Sequence, residues 1–181
     1  MRNVCPTEMI DLSLHILDIV ENSTKAGAKL VEIYLSEDAK KDLLQIIIRD
    51  NGIGMDREMV KTVRDPFVTT RTTRRVGLGL PMLEQAAKEA NGGLSVISKP
   101  GHGTELRVTF QASHIDRKPL GDIASSIITL IMGNPEVDFI YESDLNGEKI
   151  TLDTQAIRAE LEGTTTITDP AVLKLIRGLF M

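Results

Sequence analysis

The sequence predicts an α+β fold, a two-layer α/β sandwich with strands on one side and long helices on the other, followed by a small C-terminal α/β extension. Three observations predict it. Two apolar segments, Leu30–Leu35 and Leu43–Ile48, flank a charged turn and read as a strand hairpin. Two helical patterns, from about Thr7 to Ala26 and from Leu80 to Ala90, lie on either side of that hairpin in the chain. After Gln111 the pattern changes, and a new run of helix, hairpin and two further helices begins.

Each element has a local reason. Thr7 is a candidate N-cap for the first helix and Gly27 its natural terminator. Along that helix Asp11, His15, Asp18, Asn22 and Lys25 recur at intervals of three and four, which places them on one side, while Ile10, Leu14, Ile16, Leu17, Ile19 and Val20 cover most of the rest. A helix so apolar is expected to be largely buried, so its polar stripe either finds partners or forms its solvent face. Leu30–Leu35 alternates as a half-exposed strand; Leu43–Ile48 is a continuous β-branched run expected to be buried on both faces, ending at Asp50. A short helix is expected over Asp56–Val63, stopped by Asp65-Pro66-Phe67. The seven residues Thr69–Arg75 are all threonine or arginine and read as a basic, lid-like loop.

Leu80–Ala90 carries Pro81 in its first turn, where the missing N–H costs little, and closes at Asn91-Gly92-Gly93. Leu94–Ser98 and Thr104–Phe110 read as strands joined by the turn Lys99–Gly103. His114–Pro119 is a polar linker, Leu120–Met132 a helical pattern, and Val137–Ser143 with Glu148–Leu152 a hairpin around Asn146-Gly147. Asp153 or Thr154 caps a helix to Glu162, and Pro170 opens a final amphipathic helix through Phe180. This gives two expected units, residues 1–111 and residues 112–181. The second contains no catalytic motif. Its apolar helix Ile123–Met132 packs either on the first unit or on a partner, and periodicity does not separate the two.

Composition bounds the function. Hydrophobic residues make up 41% and charged residues 26% of the 181, the balance of a soluble globular protein. A net charge of -5 and a pI near 5.3 argue against a nucleic-acid partner, which would call for a basic excess. Cys5 is the single cysteine, so an internal disulfide is excluded. No apolar run approaches membrane-spanning length, so a cytoplasmic protein with no membrane partner is expected.

The chemistry concentrates between Asp50 and Gly79. Asp50-Asn51-Gly52-Ile53-Gly54 puts a carboxylate at a strand end, followed by two glycines that allow positive φ and close approach of a flat or charged ligand. Gly77-Leu78-Gly79 opens a helix whose bare N–H groups suit phosphate. In order, the chain presents Asn22 on a polar-striped helix, Asp50-x-Gly52-x-Gly54, the basic loop, Gly77-x-Gly79, and Gly103-Thr104 in a hairpin. That succession, from about residue 7 to 110, resembles the ATP-binding domain of the gyrase, histidine kinase and MutL class, the Bergerat or GHKL fold. Asp65-Pro66-Phe67-Val68-Thr69-Thr70-Arg71 before Gly77-Leu78-Gly79-Leu80 looks like the histidine kinase pattern, as does Gly101-His102-Gly103-Thr104.

The resemblance implies ATP and Mg²⁺ as ligands. Asp50 would accept the adenine amine, Gly52 and Gly54 would let the base lie close, and Thr104 would complete the contact directly or through water. Asn22 would give Mg²⁺ an oxygen, and Lys25 would meet a phosphate. Gly77, Leu78 and Gly79 would cradle the polyphosphate. Arg71 stands where the family has Lys and would act at the γ-phosphate, although the two cations are not equivalent. Asp18 stands where hydrolysing members have Glu: either it activates a nucleophile, or it sits too far back and orients the metal. His15 would relay a proton, accept phosphate, or more plainly be a buried histidine bonded to Asp11 or Asp18. The implied function is a signalling protein that transfers the γ-phosphate to a partner protein in trans. Two alternatives are an anti-sigma-type nucleotide switch and a MutL-like ATPase acting as a clamp or homodimer. Transfer would need an acceptor on another chain or in the C-terminal unit, which has no histidine after His114; His114 itself, in the linker, is one candidate, although an exposed linker histidine needs no function.

Overall fold

A computed structural model describes residues 11–63 and 79–181; Thr7, the basic loop with Arg71, and Gly77 and Leu78 lie outside the described residues. The strands β1 (Leu30–Asp38), β2 (Leu43–Asp50), β3 (Gly93–Ser98), β4 (Thr104–Gln111), β5 (Asp138–Leu145) and β6 (Glu148–Asp153) form one sheet in the order β3-β4-β2-β1-β5-β6. The helices are α1 (Leu12–Lys25), α2 (Arg57–Thr62), α3 (Gly79–Glu89), α4 (Ile123–Gly133), α5 (Thr154–Leu161) and α6 (Pro170–Gly178). The expected α+β sandwich is the observed one.

α1 begins at Leu12. Asp11 is extended (φ -142°, ψ 168°) and its carboxylate accepts from Leu14 N at 3.1 Å, so this residue of the expected polar stripe is the N-cap. The N–H groups of Leu12 and Ser13 donate to the carbonyls of Pro119 and Leu120 at 2.9 and 2.8 Å, so the linker satisfies donors that a helix start leaves open. Gly27, at φ +79°, ends the helix as expected. The stripe itself divides: His15 is buried at 2% exposure while Leu14 is exposed.

β1 and β2 pair as the expected hairpin, with Ile33 opposite Ile48, and β2 pairs on its other side with β4. β2 is not buried on both faces. Leu44, Ile46 and Ile48 are buried, while Gln45, Ile47 and Arg49 are half-buried on the opposite face. That face is polar: Arg49 donates to Glu105 at 2.7 Å and lies 5.4 Å from the centre of the Tyr34 ring. Ile47 is tolerated there beside Tyr34, which is why the run reads as continuous in the sequence.

The core helices pack on the other face. α1 lies between α3 and α4. Its buried Leu12, Ile16, Ile19 and Val20 meet the rows of Val31, Ile33 and Leu35 from β1 and Ile46 and Ile48 from β2 in one core. Each such side chain contributes about 1.5–3 kcal/mol by leaving water.

The expected boundary after residue 111 falls at the end of β4, and beyond it the chain adds β5 and β6 to the same sheet. β5 runs parallel to β1, placing Phe139 beside Val31 and Tyr141 beside Ile33. The hairpin turns at Asn146 (φ +55°) and Gly147 (φ +100°), as the dipeptide predicts. Asp153 caps α5, accepting from Gln155 and Ala156, while Thr154 instead accepts from the buried Phe139 N–H at 2.7 Å. α4 packs on α1 with Ile127, Ile128, Leu130 and Ile131 buried, which answers what its apolar face is for.

Candidate functional site

Asp50, Thr104 and Ser98 stand side by side in one row across β2, β4 and β3, on the face that the helices cover. Apolar rows lie deeper in the sandwich, so this end of the sheet carries its polar groups. Asp50 is held on both oxygens: Oδ2 accepts from Ser23 Oγ at 2.8 Å and Oδ1 from Gly52 N at 2.9 Å. Ser23 is buried on α1 at 7% exposure, and Asp50 is half-buried.

Ser98 organises the neighbouring polar group. Its hydroxyl accepts from Met55 N at 2.8 Å, donates to Gly103 O at 2.8 Å, and lies 3.0 Å from Thr104 Oγ1. A serine has one hydroxyl hydrogen, and Gly103 takes it, so Thr104 donates to Ser98 and remains an acceptor toward the space it lines.

That space is a cavity of about 590 Å³. Ile48, Val96 and Leu106 from the sheet and Ile19 from α1 give it apolar walls, with Asp50 and Thr104 set among them. Asn22 and Lys25 line it as well. An apolar slot with a few fixed polar groups suits a flat heteroaromatic ring with one exocyclic donor.

The glycines have protein neighbours. Gly54 sits at φ +67°, and a Cβ there would collide with the Lys99 carbonyl in the β3–β4 turn. The loop after β2 is thereby pressed onto that turn. A Cβ at Gly79, the first residue of α3, would run into the Asp18 carboxylate, so Asp18 abuts the start of that helix. Asn22 Nδ2 approaches Asp18 Oδ2 at 3.5 Å. Lys25 pairs with Glu21 at 2.8 Å while also bordering the cavity.

The fold thus gathers Asp50, Thr104, Gly54, Asn22 and Lys25 around one cavity, directs the N–H of Gly52 onto Asp50, and brings Asp18 to Gly79. Arg71, Gly77 and Leu78 fall outside the described residues. Ser23 and Ser98 were missed from sequence. Each had a signal: Ser23 continues the inward spacing of Ile16, Ile19 and Val20, and Ser98 continues the inward alternation of Leu94 and Val96.

His15 is not bonded to Asp11 or Asp18 as expected. Its Nδ1 has no partner among the described residues, since Asp11 caps the helix and Asp18 faces Gly79. Burial, then the nearby Lys118 charge, lowers its pKa to about 4, so the ring is neutral at pH 7.

The profile of the histidine kinase-, DNA gyrase B-, and HSP90-like ATPase family matches residues 8–114. The chain belongs to this family. All the cavity-lining residues named above fall within the matched span. Among the relatives of this ATPase-family chain, the sensor histidine kinase YxdK of Bacillus subtilis is 29% identical over 118 residues, covering 60% of this chain and 36% of that protein. The sensor histidine kinase RcsC of Escherichia coli is 25% identical over 176 residues, covering 91% of this chain and 18% of that protein. A non-motile and phage-resistance protein of Caulobacter vibrioides is 28% identical over 120 residues, covering 61% of this chain and 14% of that protein. The chain thus spans between 14% and 36% of the length of these relatives. In fold, the N-terminal domain of a DNA repair protein superposes with a TM-score of 0.55 at 17% identity, over 80% of this chain and 53% of that one. Among the described residues no helix is long and apolar enough to cross a membrane.

Proposed function

We propose that the chain binds Mg²⁺-ATP in the cavity beside Asp50 and transfers the γ-phosphate to a partner protein in trans. The observation that carries the reading is the doubly held Asp50 carboxylate in an apolar slot. Ser23 and Gly52 fix the carboxylate in place, so it is ready to accept from the adenine amine without reorganising. Guanine presents a carbonyl at that position and would face the carboxylate without a donor. Thr104, whose hydrogen is committed to Ser98, accepts from a water or the base edge.

The residues on α1 fit the polyphosphate end. With its amide nitrogen turned toward Asp18, Asn22 offers its oxygen side to a hard cation, and Mg²⁺ favours oxygen ligands and retains several waters. When bound, the cation neutralises phosphate charge. Lys25 lies within reach of the same space, and exchanging Glu21 for a phosphate keeps its charge compensated. Gly77, Leu78 and Gly79 with the N-terminus of α3 receive the remaining charge, and Arg71 acts as a lid cation at the γ-phosphate. The placement of Asp18 against Gly79 supports an orienting role at the mouth of α3 over activation of water. In the transfer the bond between the γ-phosphorus and its bridging oxygen breaks, a new bond to an acceptor nitrogen forms, and ADP leaves.

Titration calorimetry with Mg²⁺-ATP tests the binding step. Asp50→Asn is expected to weaken it by about 1.5–3 kcal/mol, the range for a hydrogen bond to an ionised group. Unchanged affinity in that variant overturns the adenine assignment. With γ-labelled ATP and a cognate partner, acid-labile label on the partner supports transfer to histidine. Free phosphate alone, with no labelled partner, replaces the kinase reading by a slow ATPase.

A further inference from the structure

A second cleft, of about 320 Å³, opens between the last turns of α1 and α4. Its wall chemistry is one-sided. Thr24 Oγ1 donates its hydrogen to Glu21 O at 3.0 Å, and Thr129 Oγ1 donates to Ser125 O at 2.8 Å. Both hydroxyls are therefore acceptors toward the cleft. Asn134 Nδ2 donates to Leu130 O at 3.0 Å, and its amide oxygen accepts from no group among the described residues. Glu21 Oε2 accepts from Lys25 at 2.8 Å, and its other oxygen has no partner among the described residues. α1 ends at Lys25 and α4 at Gly133, so both helices also present their negative dipole ends here. Among the described residues Lys25 is the one cation on these walls, and it is already paired.

We propose that this cleft binds the guanidinium of an arginine side chain presented by a partner protein. The acceptors come from two helices and are spread across the cleft, which suits a planar group with five fixed donors better than the compact ammonium of lysine. Leu17 and Leu130 border the same cleft and offer apolar surface to the methylene stem of an arginine. An anion would meet acceptors on both helices and a cation that Glu21 already neutralises. The site is separate from the cavity beside Asp50, although Lys25 borders both. Its occupation does not require nucleotide.

Nα-acetyl-arginine amide, titrated into the ¹⁵N-labelled full chain without nucleotide, tests the site. Saturable amide shifts centred on Thr24, Lys25, Thr129, Gly133 and Asn134 are expected, with Nα-acetyl-lysine amide binding more weakly. Glu21→Gln should weaken the arginine probe about fivefold, and Lys25→Met, which uncovers the Glu21 carboxylate, should tighten it about threefold. The Glu21 and Lys25 side chains are 44% and 55% exposed, so both variants keep the fold. A merely structural role for the pair would move both variants in the same direction. Absence of localised shifts in the wild-type protein, equal affinity for the lysine probe, or an affinity change of the same sign in the two variants overturns the proposal.

Discussion

Ser23 Oγ donates to Asp50 Oδ2 over 2.8 Å, joining the buried side of α1 to the end of β2 across the mouth of the cavity. The bond holds the carboxylate from the helix side while Gly52 N holds it from the loop side. Loss of the helix-side donor leaves the carboxylate held by Gly52 N alone, with a small void next to it. Ser23→Ala is expected to lower nucleotide affinity about tenfold, equivalent to about 1.4 kcal/mol, with Asp50 itself intact. Calorimetry measures this, and affinity equal to wild type would show that Ser23 does not set the carboxylate.

The contact of Asp18 with Gly79 predicts a coupled pair. Gly79→Ala drives a methyl into the Asp18 carboxylate and should cost about 1–3 kcal/mol, as overpacking does. Truncating Asp18 to alanine removes the obstacle, so the double variant should recover most of that loss. Urea denaturation of the four proteins gives the cycle. Strict additivity would mean that the two residues do not touch in solution.

His15 sets a pH dependence with a definite sign. The unfolded chain takes up a proton near the ordinary value of 6.5, whereas the folded chain does so only near 4. The unfolded state therefore binds more protons between those values, so the stability from neutral His15 is complete above 6.5 and is lost as pH falls toward 4. Each pH interval of one between the two values is worth about 1.36 kcal/mol, so the whole loss amounts to roughly 3 kcal/mol. His15→Leu should flatten this part of the stability–pH curve while other acid-sensitive groups keep theirs. A curve parallel to that of the wild-type protein would remove His15 as its source.

The shared sheet predicts that residues 112–181 unfold together with the rest. Phe139, fully buried beside Val31, belongs to the same core as α1. Phe139→Ala should cost about 3–5 kcal/mol and lower the midpoint of a single transition reported alike by probes in both halves. Two separate transitions, with only the later residues affected, would contradict it.

Most of the elements were legible because their causes are local. The Asn146-Gly147 turn, the stop at Gly27, the start at Pro170 and the β1–β2 hairpin each follow from conformational preferences of residues within a few positions. Asp50 and its glycines were legible for the same reason, since a carboxylate at a strand end and two glycines after it form one short string. Three readings needed more than a string. β2 looked buried throughout because Ile47 is apolar, and only the register, which sets it beside Tyr34, shows its half-exposed place. His15 is buried as its plainer reading had it, but the partners that spacing offered, Asp11 and Asp18, are taken up by the helix cap and by the approach to Gly79, and its Nδ1 has no partner among the described residues. Ser23 and Ser98 act through partners 27 and 5 residues away, so neither carried meaning until the strands were paired.

Residue order alone therefore specified which segments are helix and strand and which loops carry the strand-end carboxylate and the paired glycines of the candidate site. Backbone preference and side-chain periodicity act over a few residues, and both are written there. Packing in three dimensions was needed to establish that β5 seals the edge of β1, that α4 covers α1, and which hydroxyls hold Asp50 and Thr104. Those outcomes depend on which distant surfaces bury one another, a long-range choice that no local pattern contains.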